Sequence, residues 1–210
     1  MANPIRAVIF DMDGVLIDAK EWHYEALNRA LGLFGFHINR YEHLVTFDGL
    51  PTRAKLAMLT KDRGLPAGLH EVINGLKQKY TMEIVHRECK PLFQHEYALS
   101  RLKAKGYKLA VASNSVRNSV EVMMQKSGLA RFLDALVSNE DVKKGKPDPE
   151  IYLKTLDLLN VSPGECLVVE DNENGIKSAQ TAGCPVMIVR DVLDVTDERI
   201  TQELSTLQNS

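Results

Sequence analysis

The chain has little cysteine: three residues, Cys89, Cys166 and Cys184, odd in number and far apart. Neither a disulfide framework nor a zinc site of close paired ligands is readable from them, and they read as small buried hydrophobes. No charge of one sign dominates, since 26 Lys and Arg stand against 28 Asp and Glu for a formal net charge of −2. That balance leaves no electrostatic footprint for nucleic acid or an anionic membrane surface. Long apolar runs are also missing. The first, Ala7 to Phe10, stops at Asp11, and no segment approaches the roughly 18 uninterrupted apolar residues of a membrane span, nor a secretion signal's basic start followed by an apolar stretch. Gly and Pro, at 13 and 8, are too few for a collagen-like or low-complexity chain. The expectation is a cytoplasmic, reducing setting and a monomer or small homo-oligomer, with neither nucleic acid nor membrane as partner.

What is present is an ordinary folding composition, 44% apolar over 210 residues. Short apolar runs recur at Ala7 to Phe10, Lys108 to Ala112, Ala135 to Val137, Cys166 to Val169 and Pro185 to Val189. They are too continuous for half-exposed strands and suit parallel strands covered on both faces. Helical spacing fills the gaps, at Glu96 to Lys105, Asn118 to Ser127, Pro149 to Leu159 and Gly175 to Ala182, with Gly106, Gly128 and Gly183 where left-handed stops are wanted. Alternation of this kind predicts an α/β, Rossmann-like doubly wound parallel sheet. From about Val15 to Lys90 the alternation lapses and only helical patterning remains. Trp22, Ala26, Leu27, Ala30 and Leu31 share one face, Ala54, Leu56, Ala57 and Leu59 seed a second helix, and Val72, Ile73, Leu76 and Tyr80 a third. The expected organisation is a core of residues 1–15 and 91–210 with a helical cap, residues 16–90, inserted into it.

Open parallel sheets bind ligands beyond the carboxyl ends of their strands. There the first run gives Asp11-Met12-Asp13-Gly14, the second Ser113-Asn114-Ser115 and the fourth Glu170-Asp171-Asn172, while Lys146 lies in Gly145-Lys146-Pro147-Asp148-Pro149 before a helix. Singly, each has a plain structural reading as a turn, a helix cap or a solvated lysine. Together they fall at one sheet edge. Four carboxylates in one crevice repel one another unless neutralised. A hard divalent cation does this most simply, and Mg²⁺ takes carboxylates, waters and phosphate oxygens. Asp11 is then placed to attack phosphorus, forming an aspartyl-phosphate, and Asp13 to handle a proton, with Gly14 permitting close backbone approach. Ser113, Asn114 and Lys146 are the candidates to grip phosphoryl oxygens.

These residues resemble the haloacid dehalogenase superfamily of phosphotransferases, in the subgroup with a helical cap after the first motif. Ile9 to Asp18 resembles its first motif, Ala112 to Ser115 the second, Lys144 to Pro149 the third and Val169 to Ile176 the fourth, so the likeness spans essentially the whole chain. The resemblance implies Asp11 as nucleophile and Asp13 as general acid and then base. It also implies Mg²⁺ held by the side chains of Asp11 and Asp171, the backbone carbonyl of Asp13, and Glu170 directly or through water. Dehalogenases lack the second aspartate of D-x-D, so Asp13 argues against carbon–halogen cleavage.

Within the superfamily the nearest likeness is to β-phosphoglucomutases and sugar-phosphate phosphatases. Glu21-Trp22-His23 and Gly49 to Arg53 resemble cap segments in which a histidine helps orient the acid/base Asp and an arginine grips the substrate's distal phosphate. The remaining histidines, at 37, 43, 70, 86 and 95, read as structural or surface residues. Two departures favour a phosphatase over a mutase: Ala19 where mutases usually have Thr, and only Lys77 or Lys79 as loosely placed candidates for the mutases' cap lysine. The reading is a Mg²⁺-dependent phosphatase of a small phosphorylated metabolite, with a sugar phosphate as the expected substrate, whose cap closes to exclude solvent. Selectivity is expected from Thr46 to Arg53. A phosphomutase is the second reading, and a non-catalytic phosphometabolite-binding module the third.

Overall fold

The structure is a computed structural model that describes residues 4–47 and 49–208. Met1 to Asn3 of the N-terminal segment read above, and Asp48 of the segment 46–53, lie outside the described residues. Along the chain β1 (Ala7–Phe10) is followed by α1 (Lys20–Gly32), the short α2 (Arg40–Glu42) with a π-helical turn at His43–Phe47, α3 (Thr52–Arg63) and α4 (His70–Glu88). Then come α5 (Phe93–Ala104), β2 (Lys108–Ala112), α6 (Arg117–Lys126), β3 (Ala135–Val137) and α7 (Glu150–Leu159). The chain ends with β4 (Cys166–Glu170), α8 (Glu173–Thr181), β5 (Val186–Ile188) and α9 (Asp197–Gln208). Two compact units result, Met1–Asp18 with Lys90–Ser210, and Ala19–Cys89.

The first unit is the expected doubly wound sheet. Its order is β3-β2-β1-β4-β5, and every neighbouring pair is parallel. All five apolar runs are strands. Ile9 pairs with Ala110 on one side and Val168 on the other, so β1 is central and fully buried. β4 is buried along its length too, while the edge strands β3 and β5 are partly exposed. A continuous apolar run is what a two-faced burial demands. One core cluster joins Ile9, Ala110, Val137, Ile151, Tyr152, Leu156, Val168 and Ala179, packing α7 and α8 on the sheet. Gly106, Gly128 and Gly183 have positive φ after α5, α6 and α8, as the pattern required. The helix α9 was not foreseen.

The second unit consists of helices joined by loops, with no strand among its described residues, and has its own core of Leu27, Ala30, Leu31, Ile38, Phe47, Leu56, Leu59, Leu65 and Ile73. The face read for α1 is nearly right, with Ala26, Leu27, Ala30 and Leu31 buried and Trp22 only partly so. In α3 the buried residues are Lys55, Leu56 and Leu59, and Ala57 is exposed. In α4 the phase differs: Val72 is exposed, and the buried line runs through Ile73, Lys77, Thr81, Ile84 and Val85. A buried lysine and threonine on that line break the apolar periodicity. The three cysteines are buried thiols. No helix among the described residues is long and apolar enough to cross a membrane.

Candidate active site

The hydrogen-bond ladder of the sheet carries on for one residue beyond two strand ends. The Asp11 N–H donates to Val169 O at 3.0 Å beyond β1, and the Ser113 N–H to Val137 O at 3.0 Å beyond β2. Both side chains therefore start from backbone held as rigidly as the sheet. After Asp11 the chain turns tightly, with the Leu16 and Ile17 N–H groups donating to Met12 O and the Gly14 N–H to Ile17 O. Gly14 has φ +91°, a conformation that a side chain would strain. This loop presents Asp13, whose Oδ2 accepts from Ser115 Oγ at 2.8 Å. Ser115 in turn donates its N–H to Ser113 Oγ at 3.1 Å, and Ser113 is buried.

Lys146 is placed by Asn114. The Lys146 N–H donates to Asn114 Oδ1 at 2.9 Å, Asn114 Nδ2 donates to Lys146 O at 3.2 Å, and a Cβ on Gly145 would fall 2.5 Å from Asn114 Oδ1. Asn114, expected to reach phosphoryl oxygens, uses its Oδ1 and one Nδ2 donor on the N–H and C=O of Lys146, long-range bonds that no local pattern reports. Thus held, Lys146 Nζ donates to Asp11 Oδ1 at 2.5 Å and to Glu170 Oε1 at 2.6 Å. Glu170 lies at the end of β4 and is 1% exposed; its Oε1 also accepts from the Tyr152 hydroxyl at 2.6 Å. A Cβ on Gly175 of α8 would come within 1.8 Å of that oxygen, so glycine there makes room for the carboxylate.

Asp11, Glu170 and Asp171 each bring a carboxylate oxygen within 4.8 Å of the others. The Asp13 carboxylate is not in this group; the ligand expected from Asp13 is its backbone carbonyl. Burial pushes the Asp11 carboxyl well above the usual range, and Glu170, Asp171 and Asp13 push the same way against the Lys146 ammonium. For Lys146, burial is outweighed by Asp11 and Glu170, which hold it charged with a pKa pushed up to about 12. One ammonium thus stands among more carboxylate charge than it can balance. An all-oxygen donor set with surplus negative charge fits a hard divalent cation such as Mg²⁺.

Among the expected residues of the inserted unit, His23 Nδ1 lies 3.2 Å from the ammonium of the buried Lys77. Of the two lysines read as loosely placed candidates for the mutases' cap lysine, Lys77 is buried and Lys79 exposed. Ala19 remains: it is the N-cap of α1 and makes no side-chain cap bond. Arg53 is exposed in the first turn of α3. Of the other histidines, His70 Nε2 meets Thr60 Oγ1 at 2.6 Å and His95 Nε2 donates to Val192 O at 2.7 Å, both within the structural role read for them. Tyr152, Ser115 and Gly175 were not foreseen. The signal for Tyr152 would have been a polar-tipped aromatic on the buried side of the helix that Lys146 precedes.

A family model described as haloacid dehalogenase-like hydrolase matches residues 8–189. Among curated relatives, a phosphorylated carbohydrates phosphatase of Thermotoga maritima is 33% identical over 85% of this chain and 82% of its own length. A β-phosphoglucomutase of Bacillus subtilis is 28% identical over 85% of this chain and 80% of its own. Among solved structures, the β-phosphoglucomutase of Clostridium difficile superposes with a TM-score of 0.85 at 22% identity, covering 98% of this chain and 100% of that one, a likeness of fold. The match of nearly the whole sequence to one family model, on the sheet edge where its acids and lysine converge, makes this chain a member of the haloacid dehalogenase-like hydrolase family.

Proposed function

We propose that the chain is a Mg²⁺-dependent phosphatase that hydrolyses a small phosphorylated metabolite, a sugar phosphate in the first instance, through an aspartyl-phosphate. The observation that supports this most directly is Lys146 bridging Asp11 and Glu170 beside the Asp171 carboxylate. Asp11, Glu170 and Asp171 would hold the ion, with the backbone carbonyl of Asp13 as a further ligand. Bound there, it offsets the carboxylate charge and polarises the phosphoryl group.

The chain's own residues do the rest. An Asp11 oxygen forms the bond to phosphorus as the ester oxygen leaves, and Asp13 gives that oxygen its proton. Asp13, now a carboxylate, takes a proton from water; the resulting nucleophile breaks the Asp11–phosphoryl bond and yields inorganic phosphate. Ser115 Oγ, at 2.8 Å, fixes the plane of the Asp13 carboxyl through both steps. An ammonium has three donors, and Asp11 and Glu170 engage two on Lys146, leaving one for a phosphoryl oxygen. Ser113 Oγ accepts the Ser115 N–H and so keeps its own proton to donate to another. We assign substrate selection to His23, Arg53 and the segment 46–53.

The phosphomutase reading keeps one observation in its favour, the His23–Lys77 pair. The two separate in one assay over a panel of sugar phosphates with and without Mg²⁺, with Asp11→Asn as control. Free phosphate accumulating only with Mg²⁺ and intact Asp11 is the expected result. Isomer formed without phosphate release, dependent on a bisphosphate primer, would overturn it in favour of the mutase, and equal inertness of both proteins in favour of a binding module.

A further inference from the structure

Tyr152 belongs to none of the motifs, yet it touches their centre. It is fully buried in the cluster that contains Ile9, Ala112, Val168 and Cys184, on the first turn of α7. A tyrosine so buried needs a partner for its hydroxyl, and a neutral backbone carbonyl would suffice. The acceptor here is the Glu170 carboxylate at 2.6 Å, a charge-assisted bond. Glu170 Oε1 also takes Lys146 Nζ at 2.6 Å. A carboxylate oxygen has two lone-pair directions, so these two donors saturate Oε1. Among the described residues Oε2 takes one full hydrogen bond, from the Asp171 N–H at 3.1 Å, while the Asn172 N–H stands at the 3.5 Å limit of one, so a lone-pair direction of Oε2 stays available. Gly175 closes in beside the carboxylate, and the Lys146 ammonium lies 4.9 Å from the centroid of the Tyr152 ring.

We propose that Tyr152 is a positioning residue: its hydroxyl saturates Oε1 of Glu170, commits Oε2 as the edge offered to the divalent cation, and keeps Lys146 shared between Glu170 and Asp11. The need for a cation is taken from the phosphatase reading. Without the hydroxyl, Oε1 has an open acceptor direction, the carboxylate turns about its last bond, and Lys146 shifts its share toward Glu170 and away from Asp11. Groups that fix a metal ligand from outside the ligand set typically govern about 10–100-fold in metal affinity.

Calorimetric titration with Mg²⁺ alone, without substrate, tests this on wild type, Tyr152→Phe, Glu170→Gln and the double variant. Tyr152→Phe is expected to weaken Mg²⁺ at least about tenfold, and to add nothing on the Glu170→Gln background, because Tyr152 acts through that carboxylate. The rise in Tm on saturation with Mg²⁺, smaller in Tyr152→Phe than in wild type, gives the same reading where the variant is less stable. Equal Mg²⁺ affinity in wild type and Tyr152→Phe overturns the positioning role alone, as does a loss that persists undiminished beside Glu170→Gln. A wild type that neither binds Mg²⁺ nor releases phosphate overturns the functional reading and this role with it.

Discussion

Lys146 and Asp11, 135 residues apart in sequence, form a buried ion pair with Nζ 2.5 Å from Oδ1. The pair joins the loop before α7 to the end of β1, and Asn114 holds the backbone of that loop at Lys146. Replacing Asp11 by Asn should leave the protein folded, since Glu170 still pairs Lys146. Phosphate release should fall by about 10⁴-fold or more, as for loss of a nucleophile. Melting curves and a phosphate-release assay on the same preparation check both halves.

Chelation should silence the enzyme without unfolding it. With EDTA, phosphate release is expected to stop, and Tm to fall relative to the Mg²⁺-saturated protein. A ligand at 100 times its Kd stabilises by about 2.7 kcal/mol, so the Tm should climb with added Mg²⁺ over the range that restores turnover. Restoration of turnover with no shift in Tm would place the ion's action on the substrate instead of on this site.

Asn114→Ala removes both bonds to the Lys146 peptide. A cost of about 1–2 kcal/mol in stability is expected, together with a drop in kcat/KM, because the lysine loses its anchor. Weakened inhibition by inorganic phosphate at unchanged stability would show that the amide contacts the phosphoryl group directly.

Gly175→Ala puts a methyl 1.8 Å from Glu170 Oε1, and Lys146 and Tyr152 prevent that oxygen from moving aside. Overpacking of this kind costs about 1–3 kcal/mol. Here it should also depress turnover by about 100-fold, read as kcat at saturating Mg²⁺, while Gly164→Ala, with nothing within 4 Å of its Cβ, leaves turnover unchanged.

His95 supplies a pH dependence. Burial lowers its pKa below the usual 6.5, against hydrogen bonds to the Val192 and Leu16 backbones that raise it. A depressed histidine contributes its full stability above pH 6.5, where both states are neutral. That contribution is lost as pH falls from 6.5 through the folded-state value, because the unfolded chain takes up its proton first. Denaturant melts between pH 7.5 and 5 should show this decline as the difference between wild type and His95→Gln.

The sequence made the core legible because a strand buried on both faces cannot hide: β1, β2 and β4 each carry an unbroken run of four apolar residues, and the candidate site residues lie at or just beyond their ends. What stayed hidden depends on contacts made far along the chain. Asn114 looks like a loop residue until the Lys146 peptide is beside it, and Tyr152 like any core aromatic until its hydroxyl finds Glu170. The phase of α4 was misread because Lys77 and Thr81 occupy its buried line. α9 escaped because only Ile200 and Leu204 of its residues are buried, too sparse a stripe to stand out.

The central position of β1 has a consequence for synthesis. Its partners, Lys108–Ala112 and Cys166–Glu170, are translated only after the whole helical insert. At 5–20 residues per second, the run Ala7-Val8-Ile9-Phe10 must wait roughly 5–20 s beside the ribosome with both of its edges unpaired. Such a run invites pairing with other nascent chains. Arg6 before it and Asp11 and Asp13 after it are charges of the kind that discourage such pairing. The acids proposed for the chemistry would thus also act, for those seconds, as gatekeepers of the strand that carries them.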